Sequence, residues 1–246
     1  MKYIENSLSH LYISPLESCN LACKICYTTK NKNILSEKEI KSFISRYKNS
    51  CNLKMITFCG GEVFLLPYFC NLINFLISQN IFIQIITNGT IDRLSEIDNP
   101  NSVNIIVSID GLEEYHDKNR GNGNFKKSLD FLKKAQSKGF HIEVFSIITR
   151  QNISKIDDFD FLNEDEILFL MNTKQTFPPK NLGCYQISLM SDQNIYGCCE
   201  ATNSIGKMND NIEDIIISFR KSIIVKNNDL GCCDRCFLCG LKNILG

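Results

Sequence analysis

Between Leu11 and Leu170 the chain alternates short, almost wholly apolar runs with segments of helical period, and that alternation admits few folds. Residues 11–14 form a first run that ends at Pro15, and Met55–Phe58, Ile81–Ile86, Val103–Ile109, His141–Ile148 and Glu166–Leu170 complete six expected strands. Strands that are apolar on both faces belong in a parallel sheet covered by helices. Ser36 with Glu39 makes a capping box, and Ile40, Phe43, Ile44 and Tyr47 follow at the spacing of an amphipathic helix. Pro67 opens a second helix, with Phe69, Leu72, Ile73 and Leu76 on its apolar face. A third runs from about Phe125 to Lys138 and stops at Gly139. The expected class is α/β: an open, partial (β/α)6 barrel of the TIM type, six units being too few for the closed eightfold form.

Folds of this type place their chemistry at the carboxyl ends of the strands. Those ends carry Gly60-Gly61-Glu62, Thr87-Asn88-Gly89 and Ser108-Ile109-Asp110-Gly111. The bland alternative for Asn88-Gly89 and Asp110-Gly111 is that each is only a turn. From Met171 the pattern changes. Pro178-Pro179 breaks the chain, Tyr185–Leu189 and Asn194–Tyr196 read as a hairpin turning at Asp192-Gln193, and a helix near Ile212–Lys221 precedes a Cys-dense tail. A boundary near residue 175 divides a core, residues 1–175, from a small hairpin-plus-helix extension, residues 176–246.

Cysteine sets the chemistry. The chain has 13 of them, yet its first residues, MKYIENSLSH, lack the apolar core of a secretion signal. No apolar run reaches the roughly 18 residues of a spanning helix. A cytoplasmic protein with no membrane partner is expected, and there reductants keep thiols free, so the clusters read as metal sites and not as a disulfide framework. The 27 basic and 27 acidic residues cancel, which argues against a broad electrostatic grip on nucleic acid. Cys19-Asn-Leu-Ala-Cys23-Lys-Ile-Cys26 puts three thiols on one short loop. Such a triplet can hold three irons of a [4Fe–4S] cluster and leave the fourth open to an outside ligand. A zinc loop is the alternative, and it needs a fourth protein ligand that is not adjacent. Cys51, Cys59 and Cys70 lie in or beside apolar elements and read as small buried hydrophobes. Cys184, Cys198, Cys199, Cys232, Cys233, Cys236 and Cys239 crowd the tail.

The triplet, with Ile25 before its last Cys and Tyr27 after it, is followed in order by Gly60-Gly61-Glu62, Ile86-Thr87-Asn88-Gly89, Ser108-Ile109-Asp110-Gly111 and His116-Asp117-Lys118-Asn119-Arg120. From Leu11 to about Arg150 this arrangement resembles the radical S-adenosylmethionine (radical SAM) superfamily. The resemblance implies that SAM chelates the open iron through its amino and carboxylate groups. Gly60 and Gly61 would let backbone approach its methionine moiety, and Glu62 would accept hydrogen bonds from its amino group. Thr87, Asn88, Ser108 and Asp110 would meet ribose and carboxylate groups, Ile25 and Tyr27 would flank the adenine, and Arg120, on a loop, would pair with the SAM carboxylate. His116 is expected to be a surface residue of that loop. The tail resembles the SPASM and twitch extensions of the same superfamily. In the shorter twitch form, Cys184 and Cys198 would end a hairpin, and Cys233 with Cys236 would close a single auxiliary [4Fe–4S] cluster. The doublets Cys198-Cys199 and Cys232-Cys233, and Cys239 three residues after Cys236, leave that ligand set open, and a structural zinc site is the alternative.

The implied activity is reductive cleavage of SAM to a 5′-deoxyadenosyl radical that abstracts hydrogen from a substrate C–H. The electron would come from a flavodoxin- or ferredoxin-type donor. A peptide or protein is the leading substrate class, with oxidation, epimerisation or crosslinking as the outcome. The segment from His116 to Arg120 and the tail favour it, while the absence of a winged-helix N-terminal extension counts against it. A small polar metabolite such as an aminocyclitol, oxidised by a dehydrogenase, is the second class. A non-catalytic iron–sulfur or zinc module is the third reading, and it leaves Gly60-Gly61-Glu62 without a purpose.

Overall fold

The computed structural model describes residues 8–26, 28–147, 186–198, 201 and 203–228. Five strands alternate with helices as the sequence pattern requires: β1 (His10–Ile13), β2 (Met55–Phe58), β3 (Phe82–Thr87), β4 (Val103–Ser108) and β5 (His141–Phe145). They pair in parallel, each with its sequence neighbour. Residues of β2 and β4 are buried throughout, as strands covered on both faces must be. The sixth expected strand, Glu166–Leu170, lies outside the described residues.

Helix α1 (Glu37–Ser50) starts at the expected capping box: the Glu39 N–H donates to Ser36 Oγ at 3.3 Å, and the Ser36 N–H donates to Glu39 Oε2 at 2.7 Å. It buries Ile40, Phe43, Ile44 and Tyr47, the stripe read from the sequence. Helix α2 (Phe69–Ser78) buries Phe69, Leu72, Ile73 and Leu76. Phe69 meets Phe58 of β2 and Phe64 edge-on, each pair of ring centroids 5.4 Å apart. Two further helices follow β4. One, α3 (Glu113–Arg120), stands where the sequence pattern left a loop, and α4 (Asn124–Ser137) is the expected third amphipathic helix.

The C-terminal hairpin forms as read, with β6 (Ile187–Leu189) antiparallel to β7 (Asn194–Tyr196), and β8 (Ser204–Lys207) adds a third strand. Its attachment is what the sequence did not reveal. Strand β6 pairs in parallel with β1, Leu11 opposite Ile187 and Ile13 opposite Leu189, so the sheet runs β5-β4-β3-β2-β1-β6-β7-β8. Among the described residues the sheet is open, the partial-barrel arrangement expected. Helix α5 (Ile212–Asn228) extends beyond its expected end near Lys221. The Arg46 guanidinium of α1 donates to the carbonyls of Met208 and of Asp210, the latter at 2.9 Å, and ties this end of the chain to the core. No helix among the described residues is long and apolar enough to cross a membrane.

Candidate active site

At the carboxyl ends of β1 to β5 lies a cavity of about 300 Å³. Ten of the residues singled out in the sequence border it: Cys19, Cys23, Ile25, Cys26, Gly60, Gly61, Thr87, Asn88, Ser108 and Arg120. They come from five separate stretches of chain, and a parallel α/β sheet is what brings such strand ends together.

The three thiols share this cavity and form no disulfide. Burial pushes the Cys23 thiol up, the Arg120 guanidinium pulls it back, and Cys19 and Cys26 push it up again, so the four groups sense one another. No three Cys, His, Asp or Glu side chains among the described residues are placed to hold a single metal ion. The thiols instead border one space jointly, as a multi-iron cluster requires when each sulfur meets a different iron. In donor type and placement the triplet fits a [4Fe–4S] cluster with an open iron.

Gly60 and Gly61 answer to a close approach within the chain itself. The Gly61 N–H donates to the Leu16 carbonyl at 2.9 Å and the Glu62 N–H to the Ser18 carbonyl at 3.0 Å, which stitches the segment after β2 to the cysteine loop. A Cβ on Gly61 would stand 1.9 Å from the Ser18 carbonyl oxygen, and one on Gly60 2.3 Å from that of Leu16, with Gly60 at φ 129°. Thr87 and Asn88 continue this wall. The Asn88 Nδ2 donates to Asn20 Oδ1 at 3.0 Å and lies 3.6 Å from Cys19 Sγ.

Two residues expected at the ligand, Glu62 and Asp110, lie beneath the walls and not on them; neither has exposed surface. Glu62 accepts from the Phe64 N–H (3.1 Å), the Asn88 N–H (2.9 Å) and the Thr87 hydroxyl, which lies 2.9 and 3.0 Å from its two oxygens. Three donors of the fold thus converge on its two oxygens. Burial raises its pKa, with these donors pulling it down. Asp110 accepts from Arg120 Nε at 2.6 Å and Nη2 at 3.0 Å, a two-pronged pair that points the guanidinium at the cavity.

Helix α3 carries the remaining corrections. Arg120 sits at its last turn and not on a loop, and His116, expected at the surface, has no exposure at all. The His116 Nδ1 accepts from the Asp110 N–H at 3.3 Å, and its ring packs edge-on against Phe125 at 5.7 Å. Burial lowers its pKa to about 4, so it is neutral and serves as packing. Asn119, quoted above only within its segment, is the residue that joins the parts. Its carbonyl accepts from the Lys24 N–H at 3.0 Å, its Oδ1 from the Ile25 N–H at 3.1 Å, and its Nδ2 donates to Asp110. Glu17, Lys30 and Phe145 also border the cavity without having been singled out. Two of them flank the chemistry in plain view, Glu17 two residues before Cys19 and Phe145 at the end of a strand. Tyr27, Cys184, Cys233, Cys236 and Cys239 lie outside the described residues. Cys198 follows β7, is buried, and does not border the cavity.

The profile of the radical SAM superfamily matches residues 13–162, more than half of the chain. Among curated proteins the chain is similar to the sporulation killing factor maturation protein SkfB of Bacillus subtilis, with 28% identity over 149 residues, 57% of this chain and 36% of that protein. The chain thus spans little more than a third of the length of this relative. Its fold matches that of anSMEcpe with bound AdoMet and Cp18Cys peptide at a TM-score of 0.67 and 18% identity, covering 86% of this chain and 81% of that one. It also matches BtrN in complex with AdoMet and 2-DOIA at 0.56 and 16% identity, covering 87% and 85%. With three thiols, a glycine-lined wall and a guanidinium gathered on one cavity, and with this family match over the same residues, the chain belongs to the radical SAM superfamily.

Proposed function

We propose that this chain is a radical SAM enzyme that modifies a peptide or protein. Cys19, Cys23 and Cys26 hold the SAM-binding [4Fe–4S] cluster, and the tail cysteines, drawn from Cys184, Cys198, Cys233, Cys236 and Cys239, hold one auxiliary [4Fe–4S] cluster. The observation that carries the reading is the single cavity bordered by all three thiols and by Arg120. With cluster and SAM bound, the cofactors supply reductive SAM cleavage and hydrogen abstraction from an unactivated carbon. The chain's own part is placement. Arg120, aimed by Asp110, binds the SAM carboxylate; Thr87, Asn88 and Ser108 offer polar partners to the nucleoside; and Ile25 lies against its base. Phe145, 54% exposed beside the cavity, gives an incoming substrate an apolar contact. The likeness to a maturation protein and to a peptide-bound fold relative supports the peptide class. Oxidation of a small polar metabolite is the second reading, favoured by the fold match to BtrN over nearly the full length of both chains.

Anaerobic reconstitution tests the reading. About eight irons per chain should bind, and Cys19, Cys23 and Cys26 changed together to Ala should leave about four. A triple variant that keeps its full iron load would remove the N-terminal site. Stoichiometric zinc with iron for one cluster would make the tail a scaffold. Deuterium passing from a labelled peptide into 5′-deoxyadenosine supports the first substrate class, and passage from a labelled polyol instead supports the second.

A further inference from the structure

From Ser18 to Ser36 the chain has three lysines, Lys24, Lys30 and Lys32, and no acidic residue, although its 27 basic and 27 acidic residues cancel overall. All three lysines are exposed, and so is Cys26. The fold gathers them around the cysteine loop. Lys24 follows Cys23 directly, and its N–H is tied to the Asn119 carbonyl at 3.0 Å. The segment after Cys26 turns back along the loop: the Lys30 ammonium donates to the Leu21 carbonyl, the Ser18 hydroxyl donates to the Asn31 carbonyl at 3.0 Å, and Ile34 bridges to Leu16. Lys32 is thus held beside the loop by contacts on both of its flanks. Little counter-charge is at hand. Glu17 is buried, Glu37 pairs with Lys41 at 2.6 Å, and Glu39 is engaged at the start of α1. The acids Glu113 and Glu114 of α3 stand at its first turn, away from the end that holds the loop.

An electron bound for a cluster on Cys19, Cys23 and Cys26 has to enter from outside the chain, and its transfer slows steeply with distance. A carrier must therefore sit against the face on which the cysteine loop is exposed, and on that face it meets lysines. We infer that Lys24, Lys30 and Lys32 form the docking surface of an acidic one-electron carrier protein. Complementary charge of this kind steers the encounter and sets its orientation. The carrier is oxidised by one electron as the cluster is reduced by one, and no bond to the chain forms. The inference rests on the proposed function and names a partner of the same site.

The test uses the reconstituted protein, with an acidic ferredoxin as the probe. Lys24→Glu and Lys32→Glu are combined, and Lys30 is left in place because it borders the cavity. Calorimetry at low ionic strength should show the affinity for oxidised ferredoxin falling about tenfold or more, and the wild-type affinity should itself fall as salt is added. Formation of 5′-deoxyadenosine from SAM should slow by a similar factor with reduced ferredoxin as donor. It should keep the wild-type rate with photoreduced 5-deazariboflavin, a small uncharged reductant that needs no docking surface. Lys24→Gln with Lys32→Gln serves the same comparison, at a smaller effect, if the charge-reversed variant takes up less iron. Unchanged ferredoxin affinity, or equal slowing with both reductants, would overturn the inference. Reconstituted wild-type protein that cleaves no SAM with either reductant would defeat the proposed function itself, a result distinct from both of these.

Discussion

Glu62 and Asp110 both stand at strand ends, both have no exposed surface, and the fold uses them in opposite ways. Glu62 is surrounded by neutral donors: two backbone N–H groups and the Thr87 hydroxyl. It fastens the segment after β2 to the end of β3, so its product is backbone geometry. Asp110 is faced by the Arg120 guanidinium and the Asn119 amide. It delivers a cation to the cavity on one side and, through Asn119, holds the cysteine loop on the other. A buried acid with neutral partners bears most of its desolvation penalty, whereas a charged partner offsets that penalty and is itself held in position. One wall is built for shape, the other for charge.

The largest test of that contrast is Asp110→Asn, which leaves Arg120 beside a neutral partner in a site where its side chain is 10% exposed. Unfolding in denaturant should show a loss of about 3–5 kcal/mol, as for a broken buried pair. A loss below about 1 kcal/mol, the range of an exposed pair, would mean that solvent already screens the guanidinium.

Glu62→Gln comes next, at about 2–3 kcal/mol, because its amide NH2 must face the donor of Asn88 or of Phe64. Here pH sharpens the comparison. Burial raises the Glu62 pKa above its ordinary 4.5, so the folded chain keeps that proton to higher pH than the unfolded chain. The destabilising contribution is absent below 4.5, grows as pH rises toward the folded pKa, and is complete above it. Relative to Glu62→Gln, the wild-type chain should therefore gain stability as pH falls from the folded pKa toward 4.5. A difference that stays flat with pH would show that Glu62 ionises as freely in the fold as outside it.

Asn119→Ala is the smallest. The Lys24 N–H keeps its bond to the backbone carbonyl, so global stability should drop by only about 1 kcal/mol. The Ile25 N–H is released, and iron uptake at the N-terminal site during reconstitution should slow or fall short. Full uptake at the wild-type rate would show that the loop stands without α3.

Helices α1, α2 and α4 were legible because each buries one apolar stripe, and the strands because a sheet covered on both faces leaves unbroken apolar runs. Helix α3 was not. Its buried residues are His116 and Asn119, both polar, so Glu113–Arg120 carries no hydrophobic period to read. The pairing of β6 with β1 was equally hidden, since it joins segments more than 170 residues apart whose local pattern fits either edge of a sheet.

The sequence by itself determined the class of fold, the cysteine triplet and the order of strand-end motifs, because periodicity and spacing are local properties. Which acid faces the cavity was decided only in three dimensions. Glu62 carries the motif and is turned inward by the Thr87 hydroxyl and two backbone N–H groups, while Glu17 has no motif and is held at the cavity by Ser14 and Ser191. A side chain's surroundings depend on what the rest of the chain packs against it. Ser191 lies 174 residues from Glu17, and no spacing rule reaches that far.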